Sequence, residues 1–488
     1  MPASSRLLVF SFVVASLSGT VRAADTRPHI VVILVDDMGY GDPGCYNADS
    51  KIPTPHIDAL ADNGMKFTDA HASGPLCHLS RYGLLTGRYP FRAPVHQWRT
   101  QPTIKNDQPT IASFLKSTGY HTVMVGKWHL GFQENGYDEP LPGGPVDRGF
   151  DQYFGIRAST DIPPYFYIRG NQAVQPPTDH IEANNSEGWS PIQGAFWRAG
   201  GIAPDLKLKD VLPRFTSEAV ARIQGHAAKG SGDPLFLYLA YPAPHTPWLP
   251  SEEYRGQSGA DMYGDFMMEV DAQVGTVMKA LETAGMSQQT MVIFSSDNGP
   301  TWYEDDVVRF GHDCSGGLRG MKADAWECGH RVPFIVRWPG KVAKAAESDR
   351  LISFVDLFAT LADLQGRPLA ATAAPDSFSF AAELLGKDAD TDEIRPSLPL
   401  QSGGGHRTMR RGPWKLILGL GSGGFSVPRK RKPEPGEPPG QLYNLDLDPA
   451  EERNLYAEHP EIVEALTSEL VSIEAAESHR KLALAESN

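Results

Sequence analysis

His29-Ile30-Val31-Val32-Ile33-Leu34-Val35-Asp36-Asp37 is an unbroken apolar run that ends in two carboxylates. A short run without polar alternation reads as a strand buried on both faces, the pattern of a parallel sheet covered by helices. Residues 121–125, 235–241, 291–295 and 334–338 repeat it. Between these runs, residues 57–63, 110–118, 215–227 and 263–284 space their apolar side chains as helices do. The alternation predicts an α/β fold: a large domain with a mostly parallel central sheet flanked by helices. Residues 137–202, rich in Gly, Pro and Asn, read as a long decorated loop region.

Around residues 368–379 the composition shifts to Ala, Pro and Ser, which marks a domain boundary. Beyond it lie strand-like pieces at 396–401 and 414–418 and a closing helix at 460–476. A basic, proline-rich insert at 429–440 reads as a solvated loop. The division is therefore 1–23, a secretion signal; 24–370, the catalytic α/β domain; and 371–488, a smaller C-terminal α+β domain.

The signal reading rests on Arg6, the apolar core 7–17 and the small-residue site Val21-Arg22-Ala23. The apolar run is shorter than the ~20 residues a membrane span needs, and no later segment looks transmembrane. The protein is expected to be exported, to a periplasm or the extracellular space. A net charge of -14 over 488 residues excludes recruitment of nucleic acid by long-range attraction. An anionic substrate must be drawn locally. Four cysteines, Cys45, Cys77, Cys314 and Cys328, make no disulfide scaffold, and no Cys-x-x-Cys pair offers a zinc-thiolate site. Pairing of Cys314 with Cys328 stays open, because sequence does not test the geometry. Cys45 is expected to be a buried, packing thiol.

Ligands in open parallel sheets bind at the carboxyl ends of strands. The run 29–35 leads into Asp36-Asp37, and the run 291–295 into Asp297-Asn298. Two such oxygen-rich ends converging on one point suit a hard cation, calcium or magnesium, better than zinc or copper. A third element is Gly74-Pro75-Leu76-Cys77-His78-Leu79-Ser80-Arg81-Tyr82-Gly83-Leu84-Leu85-Thr86-Gly87-Arg88. Cys77 stands at the start of a helix-like run, where unpaired N–H groups and the dipole favour an anion. Arg81 follows one turn later.

This stretch resembles the modification signature of the type I, formylglycine-dependent sulfatases, with Leu79 where that family has proline. Proline is favoured but not required in a helix's first turn. Asp36-Asp37-Met38-Gly39-Tyr40-Gly41-Asp42 is similar to the family's opening motif, and Gly126-Lys127-Trp128-His129-Leu130-Gly131 to its second signature. Pro244-His245-Thr246-Pro247, Ser296-Asp297-Asn298-Gly299, Leu318-Arg319-Gly320-Met321-Lys322 and Leu442-Tyr443-Asn444-Leu445 follow in the family's order. The likeness spans about residues 29–460, and so many motifs in order are specific.

The resemblance implies the alkaline-phosphatase-like fold, whose smaller domain carries an antiparallel sheet. It implies hydrolysis of aryl or carbohydrate sulfate monoesters. Cys77 would be oxidised to formylglycine by a formylglycine-generating enzyme, and its hydrate would attack sulfur. Asp36, Asp37, Asp297, Asn298 and the modified Cys77 would hold Ca2+ or Mg2+. Arg81, Lys127 and His129 would position and deprotonate the nucleophile, and His245 and Lys322 would hold the sulfate and assist the leaving group. These residue types suit the chemistry on independent grounds: a tetrahedral anion needs cations around it and an acid for its leaving oxygen. A phosphodiesterase or phosphonate hydrolase of the same superfamily, and a sulfoglycan-binding protein with Cys77 left as a thiol, are the competing readings. Trp98, Trp128, Trp248, Trp302, Tyr303 and His312 lie beside the motifs, and packing roles suffice for them.

Overall fold

The computed structural model describes residues 27–370, 372–387 and 394–481. The segment 1–23 lies outside the described residues.

The apolar runs form the centre of a ten-stranded sheet. Five neighbours run parallel, in the order Thr290–Ser296, His29–Asp36, Leu235–Pro244, His121–Lys127 and Gln152–Ile156. Phe334–Arg337 and Met65–Phe67 continue one edge antiparallel, and Tyr167–Arg169 and Gln172–Ala173 the other. Every residue of Leu235–Pro244 is buried, as a continuous apolar run requires. Helices Pro55–Asp62, Val211–Lys229 and Asp261–Thr283 pack as one group, and Cys77–Thr86, Ile111–Ser117 and Asp356–Leu364 as another. Ile111–Ser117 begins at a capping box, Thr110 accepting from the Ser113 N–H and Ser113 from the Thr110 N–H.

The loop reading of 137–202 needs correction: besides the edge strands Tyr167–Arg169 and Gln172–Ala173, Asp179–Ile181 pairs with Gly200–Ile202, and one strand lies deeper in the sheet. Gln152–Ile156 is a strand of the main sheet, paired with His121–Lys127. Its five residues include Gly155, whose missing side chain leaves room for the Gly126 carbonyl of the neighbouring strand. So short an apolar run between glycines and prolines carries too little periodicity to read. Cys45 is half-buried rather than enclosed, and Cys314 and Cys328 are buried but unbridged.

A four-stranded antiparallel sheet follows, in the order Leu398–Gln401, Arg407–Arg411, Trp414–Leu418 and Gln441–Asn444. Helix Pro460–Ala475 covers it with Leu466, Leu470 and Ile473, a helical stripe. Its core is distinct from the main one, whereas Ala373, Ala374, Phe380 and Leu384 still belong to the main core. No helix among the described residues is long and apolar enough to cross a membrane.

Buried charge ties the segment leading into the smaller sheet to helix Asp356–Leu364. Arg395 is fully buried and donates to both Asp356 oxygens at 2.9 and 2.8 Å, to Ser397 O and to Tyr89. Removing one partner of such a pair strands the other charge in the interior. Arg395→Met is therefore expected to cost about 3–5 kcal/mol of stability. Urea unfolding checks this, and a loss under about 1 kcal/mol would show the pair to be dispensable.

Candidate active site

Four adjacent parallel strands deliver the site from their carboxyl ends. His29–Asp36 ends in Asp36 and leads to Asp37; Thr290–Ser296 leads to Asp297 and Asn298. His121–Lys127 ends in Lys127, with His129 two residues on, and Leu235–Pro244 leads to His245. The pairing register between His29–Asp36 and Leu235–Pro244 shifts after Leu34, so that Asp36 pairs with Pro244, a bulge-like irregularity of the kind found beside functional sites. Asp37 (φ 67°) and His129 (φ 59°) hold left-handed backbone that non-glycine residues rarely adopt. Such conformations persist where the surroundings enforce them, typically at functional sites. Met38 N donates to Ser296 Oγ at 2.9 Å and fixes the first loop to the second.

Cys77 is the first residue of helix Cys77–Thr86 and points into this ring. Its thiol donates to Asp36 Oδ1 at 3.3 Å, and Lys322 Nζ lies 3.4 Å from its sulfur. Asp36, Asp37, Cys77 and His245 each place a ligand atom within 4.8 Å of the others. Arg81, one turn along the helix, clasps Asp297 Oδ2 with Nε at 2.9 Å and Nη2 at 2.7 Å. Its Nη1 donates to Lys127 O at 3.0 Å. Lys127 pairs with Asp36 and Lys322 with Asp37. His245 Nδ1 donates to Thr246 O at 2.6 Å, which turns Nε2 toward Asp37 Oδ2 at 3.7 Å.

Every residue that the sequence nominated thus meets in one buried pocket: Asp36, Asp37, Cys77, Arg81, Lys127, His129, His245, Asp297, Asn298 and Lys322. Within it, Asp297 turns its carboxylate to Arg81 and to the Asp37 N–H, outside the tight Asp36–Asp37–Cys77–His245 group.

The electrostatics are those of crowded opposite charges. Burial opposes ionisation of Asp36, but Lys127, His245, Arg81 and Lys322 hold it well below the usual carboxylate range. Asp297 is pushed up to about 6 by burial and by the charge of Asp36. Burial, then Asp297 and Asp36, raise the Cys77 thiol far above its ordinary value. Burial works against the Lys322 ammonium, yet Asp37, Cys77, Asp36 and Asp297 together raise its pKa. His129 is driven down by burial and by Lys127, so its imidazole is neutral, with Nδ1 unpartnered. A neutral thiol among carboxylates is a poor nucleophile. The Asp36–Asp37–Cys77–His245 group fits a divalent cation, and Asn298, bonded to Asp37 through Nδ2, leaves a buried, unpartnered Oδ1 beside it as a further oxygen donor.

Other aromatic and polar neighbours sort cleanly. Trp98 sets its ring edge-on to His129 at 4.2 Å between centroids, and Arg99 and Arg157 lie over Trp98. Trp128, Trp248 and Trp302 are core, Tyr303 caps a helix, and His312 binds Asp42. His78 and Asp161 were not legible in the sequence. His78 packs on His129 at 5.7 Å between centroids, and Asp161 Oδ1 lies 4.0 Å from His245 Nδ1. Only the proximity of His78 to Cys77 in the chain hinted at either.

Comparison with known proteins agrees with this arrangement. The sulfatase family profile matches residues 28–366. An N-acetylgalactosamine-6-O-sulfatase of Bacteroides thetaiotaomicron is 34% identical over 485 residues, covering 92% of this chain and 93% of that protein. Human arylsulfatase A is 33% identical over 472 residues, covering 90% of this chain and 86% of that protein. A solved B. thetaiotaomicron sulfatase, described with the metabolism of multiple glycosaminoglycans, superposes with a TM-score of 0.80 at 32% identity. That match covers 93% of this chain and all of the other, 100%.

Lys127→Ala removes a cation from the pocket and strands Asp36. It is expected to lower kcat/KM by at least about 100-fold, the scale of losing one transition-state donor. Steady-state kinetics on a correctly folded variant, checked by circular dichroism, read this; near-normal turnover would remove Lys127 from the site.

Proposed function

This chain belongs to the sulfatase family and hydrolyses sulfate esters, and we propose that its substrates are carbohydrate sulfates, cleaved by a formylglycine made from Cys77. One observation carries the reading: Arg81, Lys127 and Lys322 crowd three carboxylates around the buried Cys77, so cations and metal-binding oxygens meet at the one residue the sequence marks as nucleophile. The site suits a divalent cation, and we assign it calcium, with magnesium as the alternative.

When bound, the cation lowers the pKa of the hydroxyl that the oxidised, hydrated Cys77 supplies for attack on sulfur. Asp36, Asp37, Asp297, Asn298 and the modified Cys77 would hold that cation. Arg81 braces Asp297 and the start of the Lys127 loop, so the positive groups keep their positions. Neutral His129 takes a proton from the nucleophile. Lys322 holds the sulfate's charge. His245, oriented by its Nδ1–H bond to Thr246 O, delivers a proton to the leaving oxygen. The burial of the pocket strengthens each of these interactions relative to water.

The name of the N-acetylgalactosamine-6-O-sulfatase relative supports a sulfated amino sugar as substrate. The signal-like segment 1–23 supports export to a periplasm or the extracellular space, after modification by a formylglycine-generating enzyme. Residues 24–370 are assigned as the catalytic domain and 371–488 as the C-terminal one, whose first part, with Ala373, Ala374, Phe380 and Leu384, packs into the catalytic core.

A substrate panel tests the reading: an aryl sulfate, 6-sulfated N-acetylgalactosamine and a bis-aryl phosphodiester. Sulfate esters are expected to exceed the phosphodiester in kcat/KM by about 100-fold or more, from differential transition-state binding. Chelation abolishes turnover and added Ca2+ or Mg2+ restores it. Phosphodiester preference would assign the protein to phosphorus chemistry, and ligand binding without turnover would make it a binding protein.

A further inference from the structure

The basic insert takes no part in the chemistry at Cys77, yet the chain folds it back against the pocket's own loops. Asp324, two residues beyond Lys322, accepts from Phe425 N at 2.7 Å, Ser426 N at 3.1 Å and the Ser426 hydroxyl. Ala325 N donates to Ser422 O at 2.7 Å, and Gly403 N to Ala323 O at 2.8 Å. Ala323 N in turn donates to Pro75 O at 2.8 Å, two residues before Cys77. These segments lie flat on one another. A Cβ on Gly424 would meet Ala323 O at 2.3 Å, and one on Gly403 would meet Leu76 Cδ1 at 3.1 Å.

From this anchorage the chain turns outward. Ser422 N donates to Pro428 O at 3.0 Å, Gly423 N to Arg429 O at 2.7 Å, and Gly404 N to Gly423 O at 2.6 Å. Next come Arg429, Lys430, Arg431 and Lys432, all exposed. Arg431 pairs with Glu437. Among the described residues, Arg429, Lys430 and Lys432 pair with no carboxylate.

An exposed run of charge is usually only solvated. This one differs because its backbone is bonded to Leu420 and Gly423, in a segment that is itself bonded to Asp324 and Ala325 just past Lys322. It also belongs to a chain of net charge -14, which repels a polyanion at long range. A local cationic strap on the segment tied to the Lys322 loop offsets that repulsion on this side of the molecule. A single sulfate buried at Cys77 has no use for three more cations outside; a chain carrying further sulfate or carboxylate groups does.

We propose that the strap Arg429–Lys432 is a docking surface for an anionic oligosaccharide, holding the acidic groups that continue beyond the sulfate under attack. The proposal rests on the sulfatase reading above and narrows its substrate to charged glycan chains longer than one sugar.

The test compares wild type with Arg429→Ala/Lys430→Ala/Lys432→Ala and with the charge-keeping Arg429→Lys/Lys430→Arg/Lys432→Arg. The probes are a fluorescent oligosaccharide bearing several sulfates, followed by anisotropy, and a small aryl sulfate, followed by turnover. In the alanine variant the oligosaccharide Kd and KM are expected to rise about tenfold, at the low end of electrostatic steering effects. Its binding should also lose most of its salt dependence, since exposed charges are screened within about 10 Å at 0.1 M salt. The charge-keeping variant should bind like wild type, and aryl sulfate turnover should be the same in all three. Equal affinity and equal salt dependence in wild type and alanine variant would overturn the proposal, and continued aryl sulfate turnover would show that the sulfatase reading survives it. Absent aryl sulfate turnover in wild type would count against the sulfatase reading, while the anisotropy result still decides docking.

Discussion

Three carboxylates, Asp36, Asp37 and Asp297, share one buried pocket, and the rest of the site is arranged around their mutual repulsion. Like charges in a low-dielectric interior repel strongly unless each has a cation. Lys127 answers Asp36, Lys322 answers Asp37 and Arg81 answers Asp297. Each cation comes from a different part of the chain: a strand end, the loop between Thr290–Ser296 and Phe334–Arg337, and the helix that carries Cys77. The charge balance therefore holds these parts in register and builds the anion pocket as a by-product. Even so, burial first and then the charge of Asp36 keep Asp297 pushed up to about 6.

The strands make this crowding possible. Parallel pairing brings the carboxyl ends of His29–Asp36, Leu235–Pro244, His121–Lys127 and Thr290–Ser296 to one edge. Their apolar bodies supply the burial that makes the charges matter. The smaller sheet then closes on the loop between Lys322 and Gly329. Lys415 from that sheet pairs with Glu327 at 2.9 Å and with Glu451 at 2.8 Å, and Arg410 reaches Asp69 at 3.2 Å. The C-terminal sheet is thus bound to the loop that carries Lys322 and helps to set its position.

Much of this was legible in the sequence, for identifiable reasons. A buried parallel strand is a short apolar run, and its functional residues follow at once, so Asp36, Asp37, Asp297 and Asn298 could be read from strand ends, while Lys127 and His245 were read from the motifs that carry the family resemblance. Cys77 and Arg81 were legible because their spacing is one helical turn. Gln152–Ile156 was not, because a five-residue strand holding a glycine has no period to detect. Nor was the role of Asp324, whose partners Phe425 and Ser426 lie about a hundred residues away. The turning of Asp297 toward Arg81 was likewise hidden, since a choice among cations depends on distances rather than on composition. Leu79 departs from the family's proline, yet it is buried in the helix's first turn against Gly74, so the fold accepts it.

The central claim is chemical: the thiol of Cys77 is replaced before the enzyme works. Burial and two carboxylates keep that thiol protonated, so as cysteine it offers no competent nucleophile. Peptide mass spectrometry of the exported protein from its native host tests this most directly. The tryptic peptide spanning residues 67–81 contains Cys77. Conversion to formylglycine makes it roughly 18 Da lighter than the thiol form. The account predicts that the lighter peptide dominates in active protein. Active protein carrying only the thiol would contradict it.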